Sequence, residues 1–241
     1  MWGIIYLIFW LLIVYLGISF FVFSIYVVKA INSSKICKKY VRYAGSPVIA
    51  FFGDSTGYGV GATCARNTLP GLIAELNPRA SITNSCKSGA KIKDTIKAIK
   101  RNNKFDVMFV CSGGMDILKM SKYSDIKKDV HNLFELMDSK CSKSVFISPA
   151  NLGLSLAFPW FLRIFYWNRS LEVGLIIKKE ARKFKNIQVV NNLLLKDLKK
   201  MPNYKNISAN DRIHPNDEGY VWVLNTLSKK VKIKGLKFNK N

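Results

Sequence analysis

The apolar positions fall into two regimes. Residues 2–28, WGIIYLIFWLLIVYLGISFFVFSIYVV, carry no charge. A helix of that length reaches roughly 40 Å at 1.5 Å per residue, more than the ~30 Å hydrocarbon core of a bilayer. Trp2, Tyr6 and Tyr26 lie near its ends, where interfacial aromatics sit. A cleaved signal peptide competes with this reading, and VKA at 28–30 vaguely suits a peptidase. A signal peptide, however, calls for a basic leader and an apolar stretch of about 7–15 residues, and the segment has neither. The pattern therefore predicts an uncleaved transmembrane anchor over 1–28, followed by a basic juxtamembrane linker over 29–46.

Beyond residue 46 short apolar runs alternate with amphipathic stretches. PVIAFFG (47–53), SITNS (81–85), FDVMFVCSGG (105–114), SVFISPA (144–150) and IQVV (187–190) read as strands. NTLPGLIAEL (67–76) and KIKDTIKAIKR (91–101) read as helices. In YSDIKKDVHNLFELMDSK (123–140), Ile126, Val130, Leu133 and Leu136 share one helical face. A long helix is expected from about Asn168 to Phe184. A last one is expected from Pro215, the favoured first helical position, to Lys230. Such alternation predicts an α/β domain with a mostly parallel sheet covered by helices on both faces. Ligands of such sheets bind at the carboxyl ends of the strands, which here carry Gly53, Asp54 and Ser55 in one case and Gly113 and Gly114 in another. The segment LGLSLAFPWFLRIFYW (152–167) has one charge, Arg163. It fits a core helix, and equally an acyl-pocket wall or an element at the membrane interface.

Charge changes the picture of surroundings. There are 38 Lys and Arg against 15 Asp and Glu, a net +23, which favours anionic partners or simply a solvated lysine-rich surface. No helix-turn-helix, zinc or RNP-like pattern supports a specific nucleic-acid partner. Lys29, Lys35, Lys38, Lys39 and Arg42 follow the apolar span and no basic residue precedes it. The positive-inside rule then puts the following domain on the cytoplasmic face of a single-pass membrane protein, with the bilayer itself as a partner. No acid follows Glu218, and the chain ends in a basic tail over 231–241. The five cysteines are odd in number and match no metal-ligand spacing, and with two histidines a metal site is not expected. Cys111 reads as a small core residue.

The candidate chemistry begins at FFGDSTGYGVGA (51–62), where a strand runs into glycines and Ser55. Either this is a glycine loop, or the backbone bends to present Ser55 and Gly57 to Gly61 let substrate and backbone approach. A nucleophilic serine needs a base and donors for the oxyanion. His131 lies mid-helix and reads as structural. His214 lies in DRIHPND, and Asp211 three residues earlier can reach one ring nitrogen while the other stays free for Ser55.

Four blocks in order resemble the SGNH (GDSL-type) hydrolase superfamily: GDS at 53–55, NSCKSGA at 84–90, GGMD at 113–116 and DRIHP at 211–215. AFPWFLR (157–163) also resembles a segment of membrane-associated bacterial members. The resemblance covers about residues 47–230, the expected hydrolase domain. It implies a three-layer α/β/α sandwich, SGNH/flavodoxin-like. It also implies ester hydrolysis through an acyl-enzyme, with Ser55 as nucleophile, His214 as base then acid, and Asp211 orienting it. The oxyanion would be held by the N–H groups of Ser55 and Gly89 and by the residue at 115. The family has Asn at that third place, but here it is Met115. A thioether donates no hydrogen bond. The resemblance thus implies a slow enzyme, one in which Asn84, Asn151 or water substitutes, or a catalytically silent protein that binds acylated or anionic ligands. The substrate expected is a carboxylic ester near the membrane, lipid or O-acyl, with no cofactor. The sequence does not determine oligomeric state.

Overall fold

The computed structural model describes residues 2–102, 105–194 and 201–239. Five parallel strands form one sheet in the order β2-β1-β3-β4-β5: β1 Val48–Gly53, β2 Ser81–Asn84, β3 Val107–Cys111, β4 Ser144–Ile147 and β5 Ile187–Val190. Each lies within a run predicted above. The runs are almost wholly apolar because both faces of the sheet are covered. Ile49, Phe51, Val107 and Phe109 point to one layer, with Leu69, Ile73, Tyr220 and Leu227 from the covering helices. Ala50, Phe52, Met108 and Val110 point to the other, against Ile99, Val130, Leu133 and Ile177. The register Phe51↔Phe109 stacks two rings 5.0 Å apart in the first layer.

The covering helices are α3 (Leu69–Leu76), α4 (Ile92–Lys100), α6 (Tyr123–Lys140), α7 (Trp160–Ala181) and a C-terminal helix, Asp217–Lys230. Two short helices, α2 (Ser55–Tyr58) and α5 (Gly114–Leu118), follow β1 and β3. α7 begins at Trp160, eight residues before the expected start. Pro159 precedes it, and proline at a helix entrance costs no internal hydrogen bond. The 152–167 segment is thus a single 3₁₀ turn, Leu152–Leu154, a non-helical connection over 155–159 and the first turns of α7. The last helix starts after Pro215, at an Asn216 cap whose side chain accepts from the Gly219 N–H at 2.9 Å.

Two boundaries differ from the sequence expectation. The apolar helix α1 runs from Trp2 to Ile36, so the first part of the expected linker is helical. The rest is docked: Arg42 pairs with Ile82 at the sheet edge and its guanidinium donates to Ala80 O at 2.8 Å. The basic tail is packed as well. Val231, Ile233 and Phe238 are buried in the first layer and Leu236 packs against it, because four apolar residues interrupt the lysines; Lys240 lies outside the described residues.

Candidate active site

Local chemistry shapes the turn after β1. Gly53 has φ 131°, and a Cβ there would lie 1.8 Å from the Cys111 carbonyl oxygen, so β1 and β3 meet too closely for any side chain. Asp54 caps α2, accepting from the Thr56 N–H at 3.0 Å, and Ser55 becomes the first helical residue. The fully buried Tyr220 hydroxyl donates to Val60 O at 2.8 Å and holds the loop down. Gly61, φ 96°, abuts the histidine turn: a Cβ would fall 2.3 Å from Pro215 O and 3.1 Å from the His214 Cβ. None of Gly57, Gly59 and Gly61 lines the cavity described below. Their close approaches are to the protein's own segments: Gly57 to Cys86 and Cys111, Gly59 to Thr68, and Gly61 to the histidine turn.

The second half of the site is an Asx turn. Asp211 Oδ1 accepts from the backbone N–H groups of Ile213 and His214, both at 2.9 Å. Its Oδ2 lies 2.7 Å from His214 Nδ1, and His214 Nε2 lies 2.9 Å from Ser55 Oγ. Asp211 is fully buried. Burial by itself would raise its carboxyl, but the His214 ring and the two N–H donors outweigh that and hold it below the usual range. Arg212 takes a left-handed φ of 59°, and the Ser155 hydroxyl clamps its carbonyl at 2.6 Å.

On the other side of Ser55, Gly89 adopts φ 79° in the loop after β2 and borders the cavity. Among the described residues, neither the Ser55 N–H nor the Gly89 N–H donates to a protein acceptor. Met115, in α5, lines the same cavity. Neither asparagine considered as its substitute is available. The Asn84 amide donates to Gly57 O at 3.0 Å while its oxygen accepts from the Cys86 N–H. Asn151 likewise spans Trp167 O and the Gly153 N–H. Both brace loops, and neither borders the cavity.

Of the four candidate contact residues at strand ends, Asp54 and Gly114 border the cavity, while Gly53 and Gly113 do not. Asp54 stands between the two blocks: its carboxylate accepts from the Thr56 N–H at 3.0 Å, and the nearby Gly114 N–H also favours its charged form. Burial pushes its pKa up to about 6 against those donors. Its charge therefore costs stability above about pH 6, and that cost is relieved as pH falls toward 4. Asn192, which the sequence reading did not single out, is a buried cavity-wall residue whose side-chain oxygen has no partner among the described residues. His131 sits far from this site and pairs with Glu180 at 3.0 Å, a structural role. Among the described residues no cluster of three or more His, Cys, Asp or Glu could hold a metal ion, and the cysteines are free thiols.

The cavity measures about 320 Å³. Ser55, His214, Gly89 and Met115 border it, and so do Val27, Ala30, Ile31 and Ser34 of α1. No sequence signal could have announced the last four, because their contact depends on how α1 leans on the domain. Contacts on α1 and just after its end hold the lean. Phe23 stacks on Phe158 with ring centres 5.4 Å apart, and the Cys37 thiol donates to Gly59 O at 2.9 Å.

No protein-family model and no curated protein matches the chain. Solved structures do. A variant of the acetyl xylan esterase Axe2 from Geobacillus stearothermophilus aligns with a TM-score of 0.57 at 17% identity, over 82% of this chain and 99% of that one. A lipolytic G-D-S-L family protein from Veillonella parvula aligns with a TM-score of 0.58 at 18% identity, over 76% and 97%. TesA aligns with a TM-score of 0.59 at 13% identity, over 77% and 98%. The fold is that of the SGNH (GDSL-type) hydrolases. At such identities the likeness fixes the fold, and the chemistry rests on the site's own geometry.

Proposed function

We propose that the protein is a membrane-anchored serine esterase that cleaves carboxylic esters, of lipid or O-acyl type, through an acyl-enzyme. The observation that carries this is the continuous Asp211–His214–Ser55 relay, 2.7 Å and 2.9 Å long in its two links. His214, oriented by Asp211, takes the hydroxyl proton on Nε2 as Ser55 Oγ bonds to the carbonyl carbon. The carbonyl oxygen becomes an oxyanion facing the N–H groups of Ser55 and Gly89. Collapse of the tetrahedral species breaks the ester C–O bond, and His214 returns the proton to the leaving alcohol. Water then repeats the cycle on the acyl-Ser55 ester and releases the acid. The chemistry calls for no cofactor. The fold neighbours described as an acetyl xylan esterase and a lipolytic protein support ester bonds as the target class.

Met115 favours one second reading, a protein of this fold that binds acylated or anionic ligands without turning them over. A fluorophosphonate separates the two: it is expected to modify Ser55 of the folded protein, and no modification overturns the esterase. One oxyanion donor is worth roughly 10²–10³ in kcat. Met115→Asn is therefore expected to raise ester turnover by about 10–10²-fold in a side-by-side kinetic assay. A neutral or harmful result means that the pocket has been rebuilt around the thioether.

α1 is long and apolar enough to cross a membrane. Its docking through Phe23 and Cys37 supports retention as an anchor rather than removal as a signal. The basic residues after the span support a cytoplasmic domain of about residues 47–230, with 29–46 as the juxtamembrane connection. Cys64 is exposed and reports the facing. An impermeant maleimide is expected to label the wild type, but not Cys64→Ser, only after cells are permeabilised. Labelling of intact cells puts the domain outside.

A further inference from the structure

The emergent part of α1 is placed where an esterase would hold its substrate. α1 has 35 residues, about 53 Å at 1.5 Å per residue, whereas about 20 residues cross the hydrocarbon core. The last third of the helix therefore runs outside the core, along the domain. From Phe23 onward its half-buried positions are Phe23, Tyr26, Val27, Ala30, Ser33 and Ser34, a spacing of three and four that lays one face on the domain. Phe158, the partner of Phe23, also borders the cavity and packs on Tyr166 at 4.8 Å. Just beyond it, Trp160, Ile164 and Phe165 in the first turns of α7 are exposed, at 61%, 56% and 46%. Large apolar groups exposed beside a membrane helix suit the headgroup boundary. The cavity thus extends from Ser55 to the seam where α1 leaves the bilayer.

We propose that Val27, Ala30 and Ile31 form one wall of an acyl-chain site, and that the substrate is a single-chain lipid ester entering sideways from the bilayer. This rests on the esterase reading and adds the substrate class to it. These three side chains are aliphatic and match a hydrocarbon chain; Ser34 is the one polar residue that α1 adds to the lining. The volume of about 320 Å³ lies at the low end of the ~300–1,000 Å³ common for small-molecule sites, which suits one chain rather than two. The anchor then serves as tether and as part of the binding site, which explains why its end is bonded into the loop after Ser55.

Ethyl and dodecyl fluorophosphonates, applied to the full-length protein in vesicles, test this through the rate of adduct formation at Ser55. The wild type is expected to favour the dodecyl probe. Ala30→Trp, which fills the wall, is expected to cut the dodecyl-to-ethyl rate ratio by about tenfold or more, the scale on which apolar pockets discriminate chain length. Val27→Asn, a polar group of similar size, is expected to cut it in the same direction, and it carries the test should the tryptophan prevent folding. Comparison with the wild-type ratio cancels partitioning of the probe into the vesicle. A ratio unchanged in the folded variants, or a wild type that takes both probes equally, overturns the acyl wall and leaves the esterase standing. Failure of both probes on the wild type overturns the esterase reading, and this one with it.

Discussion

Ser55→Ala is expected to lower ester turnover by on the order of 10⁶-fold, the scale seen when the nucleophile of a serine triad is removed. The hydroxyl is the only atom lost. Ser55 is half-buried at the first position of α2, and the Asp54 cap on the Thr56 N–H is untouched. Alanine is a good helix former, so stability is expected to stay within about 0.5 kcal/mol of wild type. Turnover of a chromogenic ester by both purified proteins, beside their thermal midpoints, checks the pair of statements. Equal turnover by variant and wild type would remove Ser55 from the chemistry and assign the activity elsewhere.

Asp211→Asn is expected to cost about 10⁴ in kcat, with the turn intact. The reason lies in which oxygen does what. Oδ1 accepts both backbone N–H groups of the turn, and Oδ2 meets the histidine ring. An asparagine keeps its oxygen toward the two N–H donors, because the amide group there would face them donor to donor. Its NH₂ then points at His214 Nδ1 and donates to it. That forces the ring proton onto Nε2, which can no longer take the proton of Ser55. The stability change has its own pH signature. Asp211 has a lowered folded pKa, so its contribution is fully present above the ordinary carboxylate value of about 3.9 and is lost as pH falls through the folded value. The stability gap between wild type and variant, followed from about pH 5 downward, is expected to close as the acid strengthens. Denaturant midpoints across that range measure it. A gap that widens in acid would show that Asp211 is neutral in the folded protein.

Both results bear on residues legible in the chain, and for the same reason: the turns that hold them are local. Glycine before Asp54-Ser55 and aspartate three residues before His214 build their geometry from their own backbone. The strands were legible too, since a doubly covered sheet demands short unbroken apolar runs. Helix ends were less so. α7 starts at Trp160 and not near Asn168 because Pro159 sets the entrance, while the aromatic run 160–167 carries no period that marks a helix. In the basic tail Val231, Ile233 and Phe238 are spaced among lysines, and only a waiting apolar layer decides that they bury.

By itself the chain determined which elements form and which side chains stand at their ends, because both follow from neighbours a few residues apart. The packed structure decided what meets what. Ser55 and His214, 159 positions apart, come within hydrogen-bonding distance only because the sheet order and the close approach of Gly61 to Pro215 bring two loops to one rim. The amides of Asn84 and Asn151 are taken up by helix carbonyls, Gly57 O in α2 and Trp167 O in α7, that no motif specifies. The end of α1 became a cavity wall because one face of it found Phe158 and Gly59. Contacts of this kind are set by register and shape complementarity between distant segments, and no local pattern encodes them.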